Sequence, residues 1–134
     1  RKKSFIVAFI AAFISTALVF KYLNETWHIL VFIPIMGFCQ LALFAGFAIY
    51  LPELFPTRLR STGVSFCYNV GRFVAASGPF TLGVLQAKLA AGATSPEARL
   101  EAFRNAAVIT SSVLLIGLIA IAFLPETKNR PLPA

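Results

Sequence analysis

The segment LPELFPTRLRSTG, residues 51–63, is a polar, proline-containing interruption between two long apolar stretches of the chain. Pro52 and Pro56 predict that the preceding helix stops here, because proline lacks an amide donor and obstructs a helix. Thr57 is placed to cap the helix that follows. The segment therefore predicts a connection between two helices, and the apolar stretches around it indicate the fold class.

Four apolar stretches predict four membrane-spanning helices, because a hydrocarbon core of about 30 Å needs roughly 20 helical residues. The spans cover about residues 5–23, 29–51, 64–89 and 106–124 of one unit, 1–134. The chain is 58% hydrophobic and 13% charged, whereas an ordinary soluble domain has roughly 25% charged residues. The predicted fold class is an all-α membrane protein.

Local signals place the ends of two connections. Tyr22 and Trp27 bracket the first one, and because aromatic rings favour the boundary between lipid and water, they predict a tight hairpin there. Before the last span, Ser95 is placed as the N-cap, Pro96 at the first helical position and Glu97 in the first turn. The fourth helix is therefore predicted to begin outside the lipid.

The distribution of lysine and arginine predicts the orientation, because cytoplasmic loops retain these residues. One side carries seven of them: Arg1, Lys2, Lys3, Arg58, Arg60, Lys128 and Arg130. The other side carries four: Lys21, Lys88, Arg99 and Arg104. This split predicts an integral protein of the cell (inner) membrane with both termini in the cytoplasm. The charged residues that give the net charge of +7 lie between the apolar stretches. This distribution argues against a nucleic-acid partner.

A carboxylate and two arginines lie close together in the segment 51–63. Glu53 stands at the end of one helix, and Arg58 and Arg60 precede the next. Such groups can form a charge cluster that holds two helices together on one side of the membrane and controls gating. The alternative is a solvated loop whose charges only fix the topology.

This segment resembles the loop between the tenth and eleventh helices of major facilitator superfamily transporters, especially the sugar-porter and organic-ion branches. The positions that match are Pro52, Glu53, Phe55, Pro56, Arg60 and Gly63. RKKSF, residues 1–5, resembles the end of the basic motif before the ninth helix, and PETKNRPLP, residues 125–133, resembles the sequence after the twelfth. Asn129 stands where glycine is common.

The resemblance implies that the chain forms the last four of twelve helices, within a C-terminal six-helix bundle. Its partners would then be the lipid bilayer, a small organic solute and the remaining eight helices. No cofactor and no metal are implied. None of the five glutamates lies in the middle of an apolar stretch and there is no aspartate, so a proton carrier of a symporter would lie elsewhere in the protein.

Arg72 stands out within the third apolar stretch. Burying an arginine at bilayer depth costs about 3 kcal/mol on insertion scales and about 10 kcal/mol or more in simulations, so the side chain needs a partner or a wet cavity. Ser65, Tyr68, Asn69, Arg72 and Ala76 recur at helical spacings and form one stripe of polar and small residues. This stripe is predicted to face the interior of the bundle.

Two interpretations of Arg72 stay open. In the functional one it binds an organic anion beside Tyr68 and Asn69, and its spacing to Pro79 is similar to that in the eleventh helix of organic-ion transporters, where the arginine is associated with anionic substrates. In the structural one it pairs with a helix carbonyl or a carboxylate from other helices, or extends to the cytoplasmic side. Gln40, in the second span, could contact a ligand or bridge two helices.

Glycines in the third stretch carry a further prediction. Gly71 and Ala75 form a small-xxx-small pair that is expected to let a neighbouring helix approach closely. Gly78 and Pro79 can loosen the backbone, and such a break at membrane depth usually serves motion or a cavity.

Enzyme chemistry finds no basis in the sequence. One histidine and no aspartate exclude a Ser-His-Asp triad within the chain. His28, Cys39 and Cys67 have no recognisable metal spacing. The main hypothesis is a secondary transporter that works by alternating access, and the alternative is a stand-alone four-helix membrane scaffold or accessory subunit.

Overall fold

The computed structural model of the chain describes residues 1–127, and within this range all regular structure is helical. The five helices of this range are α1 (Lys2–Tyr22), α2 (Thr26–Leu54), α3 (Arg60–Leu89), α4 (Pro96–Ser111) and α5 (Val113–Phe123). The prediction of an all-α protein is confirmed, and the three-residue connection between α1 and α2 is the tight hairpin expected from the sequence.

Three stretches of the described residues are long and apolar enough to cross a membrane. They are Lys2–Tyr22, Thr26–Leu54 and Pro96–Phe123, the last of which combines α4 and α5. The helix α3 is also long, at 30 residues, but Asn69, Arg72 and several hydroxyl side chains make it less apolar. Its passage through the membrane stays a prediction.

The end of α2 corrects one expectation. Pro52 lies inside the last turn of this helix, so the prediction that it stops the helix is wrong. The helix ends at Leu54, and Phe55 is extended with φ −108° and ψ 140°. A residue that precedes proline is pushed out of the helical region by the proline ring, which explains why Pro56 marks the boundary.

The helix starts show one correct and one wrong capping prediction. Ser95 Oγ accepts a hydrogen bond from the Ala98 amide at 3.2 Å, and Pro96 occupies the first turn of α4. Thr57 does not cap α3, because that helix begins only at Arg60 and has no side-chain cap bond. The turn at Pro56, whose carbonyl accepts from the Leu59 amide at 3.0 Å, delays the helix by several residues.

The helix α1 lies at the centre and packs on α2, α4 and α5. Phe5 and Phe9 are buried in the core between them. A Cβ added to Gly46 of α2 would overlap the Phe5 ring, and one added to Gly117 of α5 would overlap the Phe9 ring. These two glycines therefore give the rings of α1 the space to pack closely.

The helix α3 lies at the edge of this group, against α4 and the end of α2. None of its residues is buried. A Cβ added to Gly71 or Gly78 would have nothing within 4 Å, so within residues 1–127 no helix makes the close approach predicted at Gly71 and Ala75. The helix also continues through Pro79 without a break.

The last span has a discontinuity at Ser112, between α4 and α5. The Ser112 amide donates to the Ile109 carbonyl at 3.1 Å, and the Leu115 amide donates to the Ser112 carbonyl at 2.9 Å. Both bonds connect residues three apart, which is the tighter 3₁₀ pattern. The span is thus two helices joined by a short 3₁₀ turn.

Candidate functional site

The predicted binding residues of α3 lie on one continuous helix, and their spacings place them on one face. Arg72 and Asn69 are exposed and Tyr68 is half-buried. Asn69 Nδ2 donates to the Ser65 carbonyl at 2.9 Å. A helix rises 1.5 Å per residue, so Arg72 lies about 18 Å along α3 from Arg60.

The Arg72 guanidinium forms no hydrogen bond or ion pair with any of residues 1–127. A guanidinium offers five donors in a planar fork, which matches the two oxygens of a carboxylate. The α3 stripe, which we define as Tyr68, Asn69 and Arg72, therefore presents a permanent positive charge on an open face. A solute or another part of the protein would satisfy this charge.

Gln40 belongs to a different set of contacts. Its Nε2 donates to Thr16 Oγ1 at 3.1 Å, and Thr16 Oγ1 donates to the Ala12 carbonyl at 2.7 Å. This chain of bonds connects α2 to α1 within the apolar part of the helices. Within residues 1–127 no hydrogen bond joins Gln40 to the α3 stripe, so the structure favours the bridging interpretation of Gln40 over ligand contact.

Glu53 lies where the start of α1, the end of α2 and the segment after α5 meet. Its side chain is only 16% exposed. Arg1 Nη2 donates to one carboxylate oxygen, and Thr127 Oγ1 donates to the other at 2.6 Å. Within residues 1–127 neither Arg58 nor Arg60 forms an ion pair with Glu53, so the structure does not bring these predicted partners together.

Arg60 instead contacts the end of α2. Its Nε donates to the Pro52 carbonyl at 3.0 Å. The last carbonyls of a helix have no partner within the helix, and a positive charge is favourable beside them. Arg60 Nη2 is buried without a hydrogen-bond partner among residues 1–127, whereas Arg58 is exposed in the preceding turn.

Two further residues at this end were missed by sequence reasoning. Tyr50 is 3% exposed and its hydroxyl donates to the Pro125 carbonyl at 2.7 Å. Glu126 accepts from the Lys2 amide at 3.2 Å. A carboxylate beside the first turn of a helix is stabilising because it faces the positive end of the helix dipole.

We call these contacts the end cluster; its members are Arg1, Tyr50, Glu53, Glu126 and Thr127. The sequence PET at residues 125–127 was the one signal that could have indicated the missed members, but it was used only as a mark of resemblance. The end cluster joins three parts of the chain that are far apart in sequence: the start of α1, the end of α2 and the segment after α5.

Known proteins similar to this chain include membrane transporters. A family described as "Sugar (and other) transporter" matches residues 1–134. Over 110 residues the chain is 29% identical to a cis,cis-muconate transport protein of Acinetobacter baylyi, which covers 82% of this chain and 24% of that protein. Over 133 residues it is 26% identical to a putative metabolite transport protein of Haemophilus influenzae, with coverages of 98% and 30%.

A shorter match is closer in sequence. Over 51 residues the chain is 41% identical to a probable 4-methylmuconolactone transporter of Cupriavidus pinatubonensis, which covers 38% of this chain and 12% of that protein. No solved structure gives a significant match. The chain spans less than a third of the length of these three relatives.

Proposed function

Because the chain belongs to the sugar (and other) transporter family, we propose that it forms part of a membrane transporter that moves a small organic solute by alternating access. The family match confirms the resemblance to major facilitator transporters. The apolar helices agree with a protein embedded in a lipid bilayer. The family is one of transporters, and the proposal involves no enzymatic step.

We propose that the five helices form the last four spans of a twelve-helix protein, with eight further helices as partners. The relatives are more than three times as long as the matched segment, which is consistent with this assignment. The exposed surface of α3 supports it as well, because a helix of 30 residues without one buried residue needs other surroundings. In such transporters the substrate path lies between two halves of the protein near the bilayer midplane.

The solute is proposed to be an organic anion that Arg72 binds through its carboxylate. The observation that carries this proposal is the unpaired guanidinium near the middle of α3, on the face that no other described helix covers. Tyr68 and Asn69 add a hydroxyl and an amide to the same face. One relative is named for muconate, whose name denotes a carboxylate; that substrate belongs to the relative, and only the chemical class is proposed for this chain.

The end cluster is proposed to stabilise one state of the transport cycle on the cytoplasmic side. Glu53 connects α2 to both the start of α1 and the segment after α5. Opening this side would separate the helix ends and therefore break these charged hydrogen bonds. Arg58 and Arg60 lie beside the cluster, and Arg60 Nη2 has an unused donor that a partner in another state would satisfy.

Uptake by the complete protein tests the proposed function. Proteoliposomes are loaded with an unlabelled dicarboxylate, monocarboxylate or neutral sugar, and the same solute in labelled form is added outside. Protein-free liposomes are the control. We expect saturable exchange of at least one carboxylate and none of the sugar. Exchange of the sugar alone would contradict the proposed anion class, and no exchange of any of the three would contradict the transport proposal.

A further inference from the structure

The hairpin between α1 and α2 carries a capping box in which a histidine takes the place usually occupied by glutamate or glutamine. Glu25 is the N-cap of α2, and its backbone carbonyl accepts the His28 amide at 3.1 Å. In return His28 Nδ1 accepts the Glu25 amide at 3.3 Å and the Asn24 amide at 3.4 Å. We propose that this box is an acid-sensitive switch, in which protonation of His28 releases the Asn24 and Glu25 amides and loosens the start of α2.

The geometry assigns the protonation state that the box requires. Since Nδ1 of His28 accepts two amides, its proton must lie on Nε2 in the neutral ring. A second proton on Nδ1 converts this acceptor into a donor that faces two other donors. It also places a positive charge at the positive end of the α2 dipole, which is unfavourable. Histidine ordinarily changes its charge between about pH 5 and 8.

The surroundings provide the protonated ring with an alternative partner. The Glu25 carboxylate also accepts a hydrogen bond from Trp27 Nε1. The His28 ring lies between two aromatic rings, with its centroid 4.2 Å from that of Trp27 and 5.3 Å from that of Phe32. Glu25 and His28 lie on the same first turn of α2, so a small rotation of the ring brings the new Nδ1 donor to the Glu25 carboxylate, and the two amides are then left to water.

Other charged groups at this end come from α1 and α4. Arg104 of α4 donates to the Leu23 carbonyl at 2.6 Å and so ties the hairpin to α4. A cleft of about 610 Å³ beside the hairpin is lined by Asn24 and by four charged side chains, those of Lys21, Glu97, Glu101 and Arg104. Among these residue types and Glu25, histidine is the one whose ordinary charge change falls near neutral pH. In the proposed orientation the switch would respond to the pH outside the cell.

Hydrogen exchange of the complete protein in lipid nanodiscs tests the switch. The protection of the Asn24 and Glu25 amides is measured at about pH 7.5 and about pH 5.5, which bracket the ordinary range of histidine, and is normalised to the intrinsic exchange rate at each pH. We expect protection to fall about fivefold at the lower pH, as for the loss of a helix cap. Protection that is equal at both pH values would overturn the proposal.

Two variants assign the effect to His28. His28→Gln retains an oxygen acceptor that does not titrate, so the protection of the two amides should be the same at both pH values. Glu25→Gln keeps His28, so the protection of the amides should still fall at the lower pH. If amide protection at the lower pH fell as much in His28→Gln as in the wild type, the response would belong to another group and the proposed switch would be overturned.

A measurement on the unaltered protein covers the case in which His28→Gln does not fold. The Trp27 indole lies against the His28 ring, and a protonated imidazole quenches indole fluorescence. The protein is titrated with acid while the fluorescence of Trp27 is followed, with Trp27→Phe providing the background. Quenching and loss of amide protection should share one midpoint, and different midpoints would overturn the switch.

Discussion

The helices α1 and α3 are both rich in small residues, yet they differ in what surrounds them. α1 buries six side chains, whereas α3 buries none. The glycines that face α1, Gly46 and Gly117, each receive a phenylalanine ring, while Gly71 and Gly78 of α3 meet no other described residue. A small residue thus acts as a packing site only where a neighbouring helix presents a bulky group to it.

The charged residue Arg72 of α3 differs in a similar way from the buried hydroxyls of α1. On α1, Ser15 and Thr16 are buried and donate to the carbonyl of Ala12, so their hydroxyls are satisfied within the helix. On α3, Arg72 is exposed and has no partner within residues 1–127. α1 therefore packs against its neighbours along its length, whereas Arg72 of α3 has no partner among the described residues. Four tests, which use five substitutions, can break or sharpen this difference.

The largest effect is expected from Arg72→Leu in the complete protein. Removing one partner of a hydrogen-bonded charge pair costs about 2–5 kcal/mol, so uptake of carboxylate solutes should fall by at least about 30-fold. Lys88→Leu, at the end of the same helix, is the matched control and should keep its uptake. Membrane insertion of both variants is checked by surface labelling. Unchanged uptake kinetics in Arg72→Leu would make α3 a structural helix like α1.

Gly117→Ala and Gly71→Ala form the second test. The added methyl group at Gly117 collides with the Phe9 ring, and overpacking of this kind costs about 1–3 kcal/mol of unfolding free energy. The same change at Gly71 meets open space within residues 1–127, so it should not destabilise the protein and should add up to about 1 kcal/mol, because alanine favours a helix over glycine. Reversible unfolding in mixed micelles measures both. Equal destabilisation would mean that α3 is packed as tightly as α1 in the complete protein.

Glu53→Gln is expected to have an intermediate effect on kinetics. The variant keeps an oxygen but loses the charge that Arg1 binds, and a hydrogen bond to a charged group contributes about 1.5–3 kcal/mol. Because these bonds must break before the cytoplasmic side opens, departure from the state that they stabilise should become faster, while substrate binding changes less. Cysteine-accessibility rates on both sides of the membrane measure this, with Glu101→Gln as the control. Transport and accessibility equal to those of the wild type would reduce the end cluster to a signal for topology.

Tyr50→Phe should give the smallest change. It removes only the hydroxyl that donates to the Pro125 carbonyl and leaves the ring beside Phe5, with centroids 5.6 Å apart. The loss of one neutral hydrogen bond costs about 1 kcal/mol. The unfolding midpoint should shift slightly, while uptake stays near the wild-type level. If Tyr50→Phe lowered the unfolding free energy as much as Gly117→Ala, the hydroxyl would be more important than the ring for α1 packing.

The parts of the molecule that were predictable from sequence are those with local causes. The apolar lengths predicted the helices, and Ser95 with Pro96 predicted the start of α4. Thr57 failed as a cap because the turn at Pro56 postpones the next helix, a three-dimensional effect that a short motif does not contain.

The candidate site was predictable only in part. The spacing of Tyr68, Asn69 and Arg72 placed them on one face, because helix geometry alone determines this. The partners of Glu53 were not predictable, since Arg1 and Thr127 lie 52 and 74 residues away along the chain. Such pairings depend on how the helix ends assemble, and no pattern near Glu53 encodes them.

The 3₁₀ turn at Ser112 has a mechanical consequence for the last span. α4 is fastened at one end of the bundle, through Arg104 and the Leu23 carbonyl. α5 leads at the opposite end into Pro125 and Thr127, which are fastened to α2. The two helices of this span are therefore anchored at separate points. We expect a tilt of α4 or α5 to bend the span at Ser112 before it moves the other helix.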